Sequence, residues 1–334
     1  MKLFDYNPDQ FSKITYNIGG IDTHVYNANV LKPYIESFNT HELNHSIFEI
    51  PINVLYLLHQ REGNYKYTEA IAYNILNKYY SKREGAQQDH QQSIPLICVT
   101  FDLRNHGSRE INKFKNQDWV GGNKTHGSDM ISSIMGNVKD LKLIIDFLPI
   151  YLNLDQYLTD DFKKGNINYK IKFENILSGY SLGAHTVFRF INEYPNLIKI
   201  INPVVGCIDL SSLLINRLKQ NSIDSSDYDK KWFYYNYNEL DLSPEQQEKY
   251  PLQLHNFLQS QDLNIFENFP MQKIKMFASF GKKDNLVPYK LNSIWCDLYL
   301  NTNDSTKIFI DDDLGHDVNE KMIDEFVNWL VENL

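Results

Sequence analysis

Gly179-Tyr180-Ser181-Leu182-Gly183 follows the short apolar run Ile176-Leu177 and precedes Ala184 to Glu193, whose Val187, Phe188, Phe190 and Ile191 read as helix before Pro195. Strand, G-x-S-x-G, helix is the setting of a nucleophile elbow, a turn sharp enough to force the serine into strained backbone geometry. The residues two before and two after that serine must then lack a Cβ, because strand and helix nearly touch. The hydroxyl sits at the helix N-terminus, where free N–H groups and the helix dipole stabilise an oxyanion. A Gly-Ser turn can be purely structural, and the flanking strand and helix favour the chemical reading.

Working outward, Ile14-Thr15-Tyr16 and His24-Val25-Tyr26 flank Gly19-Gly20 and predict an antiparallel pair. Ile50 to Leu58 and Ile94 to Phe101 are nearly continuous apolar runs, as in strands covered on both faces. Between them a helix is expected from near Thr68, with Ile71, Ile75 and Tyr79 on its apolar stripe, followed by a polar loop from Gly85 to Gln92. Residues 108–136 read as irregular, Val138 to Leu152 as an amphipathic helix, and 155–172 as a polar connection. Leu197 to Val205, Ile274 to Phe280 and Thr306 to Ile310 read as strands, and Tyr289 to Leu300 and Val318 to Leu334 as helices. Asp317 and Glu320 match a capping box for the last helix.

This alternation predicts an α/β fold, a mainly parallel doubly wound sheet with helices on both faces. Residues 207–272 break the rhythm with a polar, aromatic-rich stretch too long for a loop in a compact domain. They are expected to form an inserted helical lid, leaving 1–206 and 273–334 as the core. The aromatic run from Trp232 to Tyr237 reads as packing within that lid.

The chain has 334 residues, of which 42% are hydrophobic, enough for a sizeable core. A net charge of −9 argues against nucleic acid or an anionic membrane as partner. No apolar run approaches a membrane span, and Met1 to Pro8 lacks the apolar core of a signal peptide. Asn44-His45-Ser46 and Asn123-Lys124-Thr125 match the glycosylation pattern, which carries little weight without a secretory signal. Cys98, Cys207 and Cys296 are too widely spaced for a disulfide framework or a zinc site. A cytoplasmic protein acting on a small molecule is expected, with no cofactor, no metal and no membrane span. The oligomeric state stays open.

A serine hydroxyl needs a base to take its proton and an acid to orient that base. The chain order that accompanies this elbow leaves His185, His255 and His316 as bases. His185 lies one turn into the elbow helix, facing away, and His255 lies in the lid segment. His316, in Leu314-Gly315-His316-Asp317, follows the last strand and should emerge on the same edge as Ser181. Asp284, just past the strand ending at Phe280, is the acid of choice, and Asp209, past the preceding strand, is its rival. Asp311, Asp312 and Asp313 read as a solvated turn. Oxyanion donors are expected from the backbone amides of Leu182 and Arg61, with Gln60 as near neighbour.

With these residues in place the chain resembles the α/β-hydrolases over most of its length outside the lid. His59-Gln60-Arg61 resembles the His-Gly-x oxyanion motif of that family, with Gln60 where Gly is usual. Asp102-Leu103-Arg104-Asn105-His106-Gly107-Ser108 resembles the D-x-R-x-H-G motif, which shapes the site from beneath without taking part in the chemistry. The pattern Trp119, Gly122-Asn123, His126, Asp129-Met130 is similar to a group of fungal α/β-hydrolases. The resemblance implies an esterase-like serine hydrolase and leaves its substrate open. His106, His126 and Asp129 lack the spacing of a metal site.

Two other readings compete. An aminopeptidase or amidase on the same three residues would need a lid carboxylate for the substrate amine, with Asp227, Asp229 or Glu239 available. A non-catalytic ligand-binding protein would keep the fold without needing all three of Ser181, Asp284 and His316.

Overall fold

The structure, a computed structural model, describes residues 4–40, 48–86 and 93–334. Its strands are β1 (Lys13–Ile18), β2 (Ile21–Tyr26), β3 (Phe48–Leu58), β4 (Leu96–Phe101), β5 (Tyr169–Tyr180), β6 (Ile198–Val204), β7 (Lys275–Gly281) and β8 (Lys307–Asp311). The helices are α1 (Leu31–Glu36), α2 (Tyr65–Ala86), α3 (His126–Leu152), α4 (Asp160–Gly165), α5 (Leu182–Glu193), α6 (Leu210–Lys219), α7 (Pro244–Lys249), α8 (Leu252–Asn268), α9 (Ser293–Leu300) and α10 (Glu320–Asn333). Among the described residues eight strands form one sheet in the order β1-β2-β4-β3-β5-β6-β7-β8. The β1–β2 hairpin pairs antiparallel with itself and with β4, and every other pairing is parallel.

Side-chain alternation along the strands divides the core into two layers. Leu55, Leu57, Cys98, Ile176, Ile200 and Phe277 face α2 and α10. Ile52, Val54, Tyr56, Val99, Leu177 and Ile201 face the layer of α3 and α5. Residues 207–272 hold α6, α7, α8 and short 3₁₀ turns, and their Leu213, Leu214, Leu258 and Ile265 belong to the same apolar cluster as α3 and α5. Trp232 and Phe233 are buried in this segment, and the Trp232 indole donates to Asn216 Oδ1 at 3.1 Å. Among the described residues no helix is long and apolar enough to cross a membrane.

Several boundaries differ from the sequence expectation, each for a tertiary reason. The helix expected from Val138 begins at His126. Its first half is rich in glycine and serine, which weakens the local helical signal. Gly136 lies under the Arg104 side chain, whose Nε would be 2.8 Å from a Cβ there, and Gly127 packs under Leu254 and Trp119. Helix α2 starts at Tyr65 and not Thr68, because Asp102 Oδ1, 37 residues away, accepts the Tyr65 N–H at 2.7 Å. That acceptor satisfies an orphan donor of the first turn. Strand β5 reaches back to Tyr169, into the expected polar connection, because it pairs with β3 from Phe48 onward. Asn319, not Asp317, caps α10, its Oδ1 accepting the Met322 N–H at 3.0 Å. The polar loop expected over 85–92 lies outside the described residues from 87 on, as does Asn44-His45-Ser46.

Candidate active site

Strand β5 delivers the chain to Ser181 at φ 51°, ψ −107°, and α5 starts at the next residue. This backbone is unfavourable for an L-residue and persists only where its surroundings over-determine it. Here they do. The Ser181 N–H donates to the Val204 carbonyl at 2.9 Å, and its own carbonyl accepts the His185 N–H at 3.1 Å. A Cβ at Gly179 would collide with Gly183, and one at Gly183 with the Leu58 carbonyl. The glycine spacing is thus a steric consequence of β3, β5 and α5 meeting at one point.

Two loops converge on the hydroxyl. Asp284 follows β7 and is buried; its Oδ1 accepts the N–H groups of Leu286 and Val287, each at 2.8 Å. Its Oδ2 lies 2.8 Å from His316 Nδ1, and His316 Nε2 lies 2.9 Å from Ser181 Oγ. A carboxylate only accepts, so Nδ1 carries the proton and Nε2 accepts from the serine hydroxyl. The loops are zipped together by Lys282 N–H to Asp311 O at 2.8 Å and Lys283 N–H to Leu314 O at 2.9 Å. Gly281 lies directly against the Gly315 carbonyl, where no side chain fits.

The other acids and bases are engaged elsewhere. Asp209 caps α6 by accepting the Ser212 N–H at 2.8 Å and lies 3.6 Å from Lys231 Nζ. Burial and the charge of Asp262 push its carboxyl up to about 6. His185 donates from Nδ1 to the Cys207 carbonyl at 2.8 Å, and burial pulls its imidazole down to about 3. His255 bonds the Tyr235 carbonyl at 2.9 Å. Asp312 and Asp313 are exposed and pair with Lys282 and Lys283, as a solvated turn would, but Asp311 is buried and accepts from Asn319 at 3.0 Å. Asp227 pairs with Lys230, Asp229 with Lys290, and Glu239 closes a capping box with Asn236.

No family model matches the chain, and no curated protein matches its sequence. Solved structures do. TT1662 from Thermus thermophilus is similar at TM-score 0.54 and 11% identity, over 97% of this chain and 98% of that one. Est1E from Butyrivibrio proteoclasticus, solved with ferulic acid bound, is similar at TM-score 0.50 and 12% identity, over 96% and 98%. The esterase Pf2001 of Pyrococcus furiosus gives a TM-score of 0.49 at 13% identity, over 100% and 96%. The chain has the α/β-hydrolase fold.

In this α/β-hydrolase fold the loop after β3 lies beside the elbow. Leu182 opens α5, so its amide has no carbonyl of the same helix to bond. Arg61 and Leu182 line one narrow cavity of about 20 Å³, together with His106, His126 and Ser133. The Gln60 carbonyl accepts from His59 Nδ1 at 2.7 Å and from the Gly63 N–H at 3.1 Å. The cavity shares Lys115, Asn116, Asp129 and Ser133 with a neighbouring chamber of about 420 Å³.

The D-x-R-x-H-G segment builds the floor. Asp102 Oδ2 accepts the Ser108 N–H at 2.7 Å while Oδ1 caps α2, and Gly107, at φ 54°, lies against that carboxylate. Arg104 and Arg109 both hold Asp140 at 2.8 Å. His106 and His126 bond the carbonyls of Arg104 and Gln117 at 2.8 and 3.1 Å. Among the described residues no group of three or more His, Cys, Asp and Glu side chains is arranged to hold a metal ion. Arg217 of α6, which escaped the sequence reading, donates to the Leu286 carbonyl at 2.7 Å, on the loop that carries Asp284.

Proposed function

We propose that this chain is a serine hydrolase that cleaves a carboxylic ester or thioester through an acyl-enzyme. The observation that carries the reading is His316, hydrogen-bonded at once to Ser181 Oγ and to buried Asp284. His316 Nε2 takes the hydroxyl proton as Ser181 attacks the substrate carbonyl, and passes it to the leaving group. Asp284 holds the Nδ1–H tautomer and balances the imidazolium charge. The oxyanion rests on the amides of Leu182 and Arg61, which share a cavity at the elbow. Water activated by His316 then releases the acid. Residues 207–272 act as the lid in this reading, and kinship with the fungal group that residues 119–130 resemble is part of the same proposal.

A fluorophosphonate probe tests it directly. Labelling of the native protein that disappears in Ser181→Ala is expected; no labelling, or labelling unchanged by that substitution, overturns the reading.

A further inference from the structure

Arg104 and Arg109 share the Asp140 carboxylate, and Arg189 is paired with buried Asp262. Arg61 and Arg217 are different. Among the described residues neither has a carboxylate within 4.0 Å. Arg61 donates to the Asn116 carbonyl at 2.8 Å and lines the narrow cavity that ends at Leu182, next to Ser181. Arg217, from α6, donates through Nη2 to the Leu286 carbonyl at 2.7 Å, two residues past the Asp284 that holds His316. Among the described residues its Nε is buried without a hydrogen-bond partner.

The two guanidinium groups also feel each other. Burial lowers the Arg217 pKa, and the like charge of Arg61 adds to the effect. The acid they share is Asp118, whose Oδ1 accepts the Gly121 N–H at 2.7 Å and which both arginines help to keep ionised. A desolvated guanidinium with an unused N–H is costly unless something anionic completes it. Planar N–H forks match carboxylate and phosphate oxygens.

Resting on the hydrolase reading above, we propose that the substrate carries a carboxylate or phosphate away from the scissile bond, held by Arg61 and Arg217. The anion completes the hydrogen bonding of the two guanidiniums and orients the scissile carbonyl toward Ser181. It follows that charge on the substrate, more than chain length, sets selectivity.

The test uses matched esters. p-Nitrophenyl hemisuccinate against p-nitrophenyl butyrate places the charge on the acyl side, and 4-butyryloxybenzoate against its methyl ester places it on the leaving group. In at least one pair the anionic member is expected to have a kcat/KM about tenfold or more above its neutral partner, with that ratio collapsing toward one in Arg217→Met. A merely structural role for Arg217 at the Leu286 loop would lower both members equally and leave the ratio intact, which overturns the proposal. Ratios at or below one in both pairs for the native protein overturn it as well. Calorimetric titration of Ser181→Ala with monomethyl succinate and methyl butyrate keeps the two readings apart. Selective binding of the hemiester upholds the anion site even if no ester is turned over, a result that would sink only the hydrolase reading. Absence of selective binding sinks the anion site. Competition by succinate against inorganic phosphate then tells which anion fits.

Discussion

Two groups of histidines lie at the same end of the sheet and behave differently. His59, His106, His126 and His185 are buried, and each bonds a backbone carbonyl through Nδ1, at 2.7, 2.8, 3.1 and 2.8 Å. Burial pulls His59 and His126 down to about 4 and His185 to about 3, so they stay neutral. His316 keeps 17% of its side chain exposed and spends both ring nitrogens on side chains, a carboxylate and a hydroxyl. A carbonyl holds an imidazole in place without helping it carry charge. A buried carboxylate does both, which suits a proton carrier.

The largest effects test the His316 side. Under the proposed mechanism Ser181→Ala and His316→Ala each lower ester turnover by roughly 10⁴- to 10⁶-fold, and the double variant is no worse than either alone. Additive losses measured in initial-rate assays would mean that the two side chains do not act as a unit. Next comes the contrast between two buried acids. Asp284→Asn should lower kcat by roughly 10²- to 10⁴-fold, because the His316 tautomer is lost. Asp209→Asn should cost little activity, since Asp209 serves the α6 cap and not His316. Equal kinetic losses in the two would break the distinction.

The buried histidines predict an effect on stability and not on rate. Their folded pKa values lie below the ordinary value of 6.5, so at acid pH the unfolded chain binds protons that the folded chain refuses. Stability contributed above pH 6.5 is therefore lost as pH falls toward 4. For His185 the loss between pH 6.5 and 5 is about 2 kcal/mol. Asp209, raised to about 6, works in the opposite direction over part of that range. Urea midpoints across pH for the native chain and His185→Asn, which retains a donor for the Cys207 carbonyl, isolate the histidine term. A pH slope equal in both would refute it. The smallest effect belongs to the exposed Lys283–Asp313 pair, whose loss in Asp313→Asn should change stability by less than about 0.5 kcal/mol.

Much of this layout was legible because it is written locally. The apolar runs of β3 and β4, the Gly19-Gly20 hairpin and the glycines around Ser181 each carry their reason within a few residues. The start of α3 was not legible, since Gly127 and Gly136 argue against helix until Leu254 and Arg104 are seen packed on them. The cap of α10 was misplaced because Asp317 and Asn319 are both competent caps, and the loop geometry chooses between them. Asp284 was the preferred acid and Asp209, at the end of the preceding strand, its rival; the Gly281–Gly315 contact presses the Asp284 loop onto that of His316, while Asp209 caps α6.

The chain by itself determined the alternation of strand and helix, the sharp turn at Ser181, and the small set of acids and bases from which partners could come. These depend on periodicity and on side-chain volume at neighbouring positions. Which histidine meets the hydroxyl, which acid meets that histidine, and the approach of Arg217 to the Asp284 loop were decided only by tertiary structure. They depend on contacts between segments 32 to 135 residues apart, set by strand register and helix packing, which no local pattern encodes.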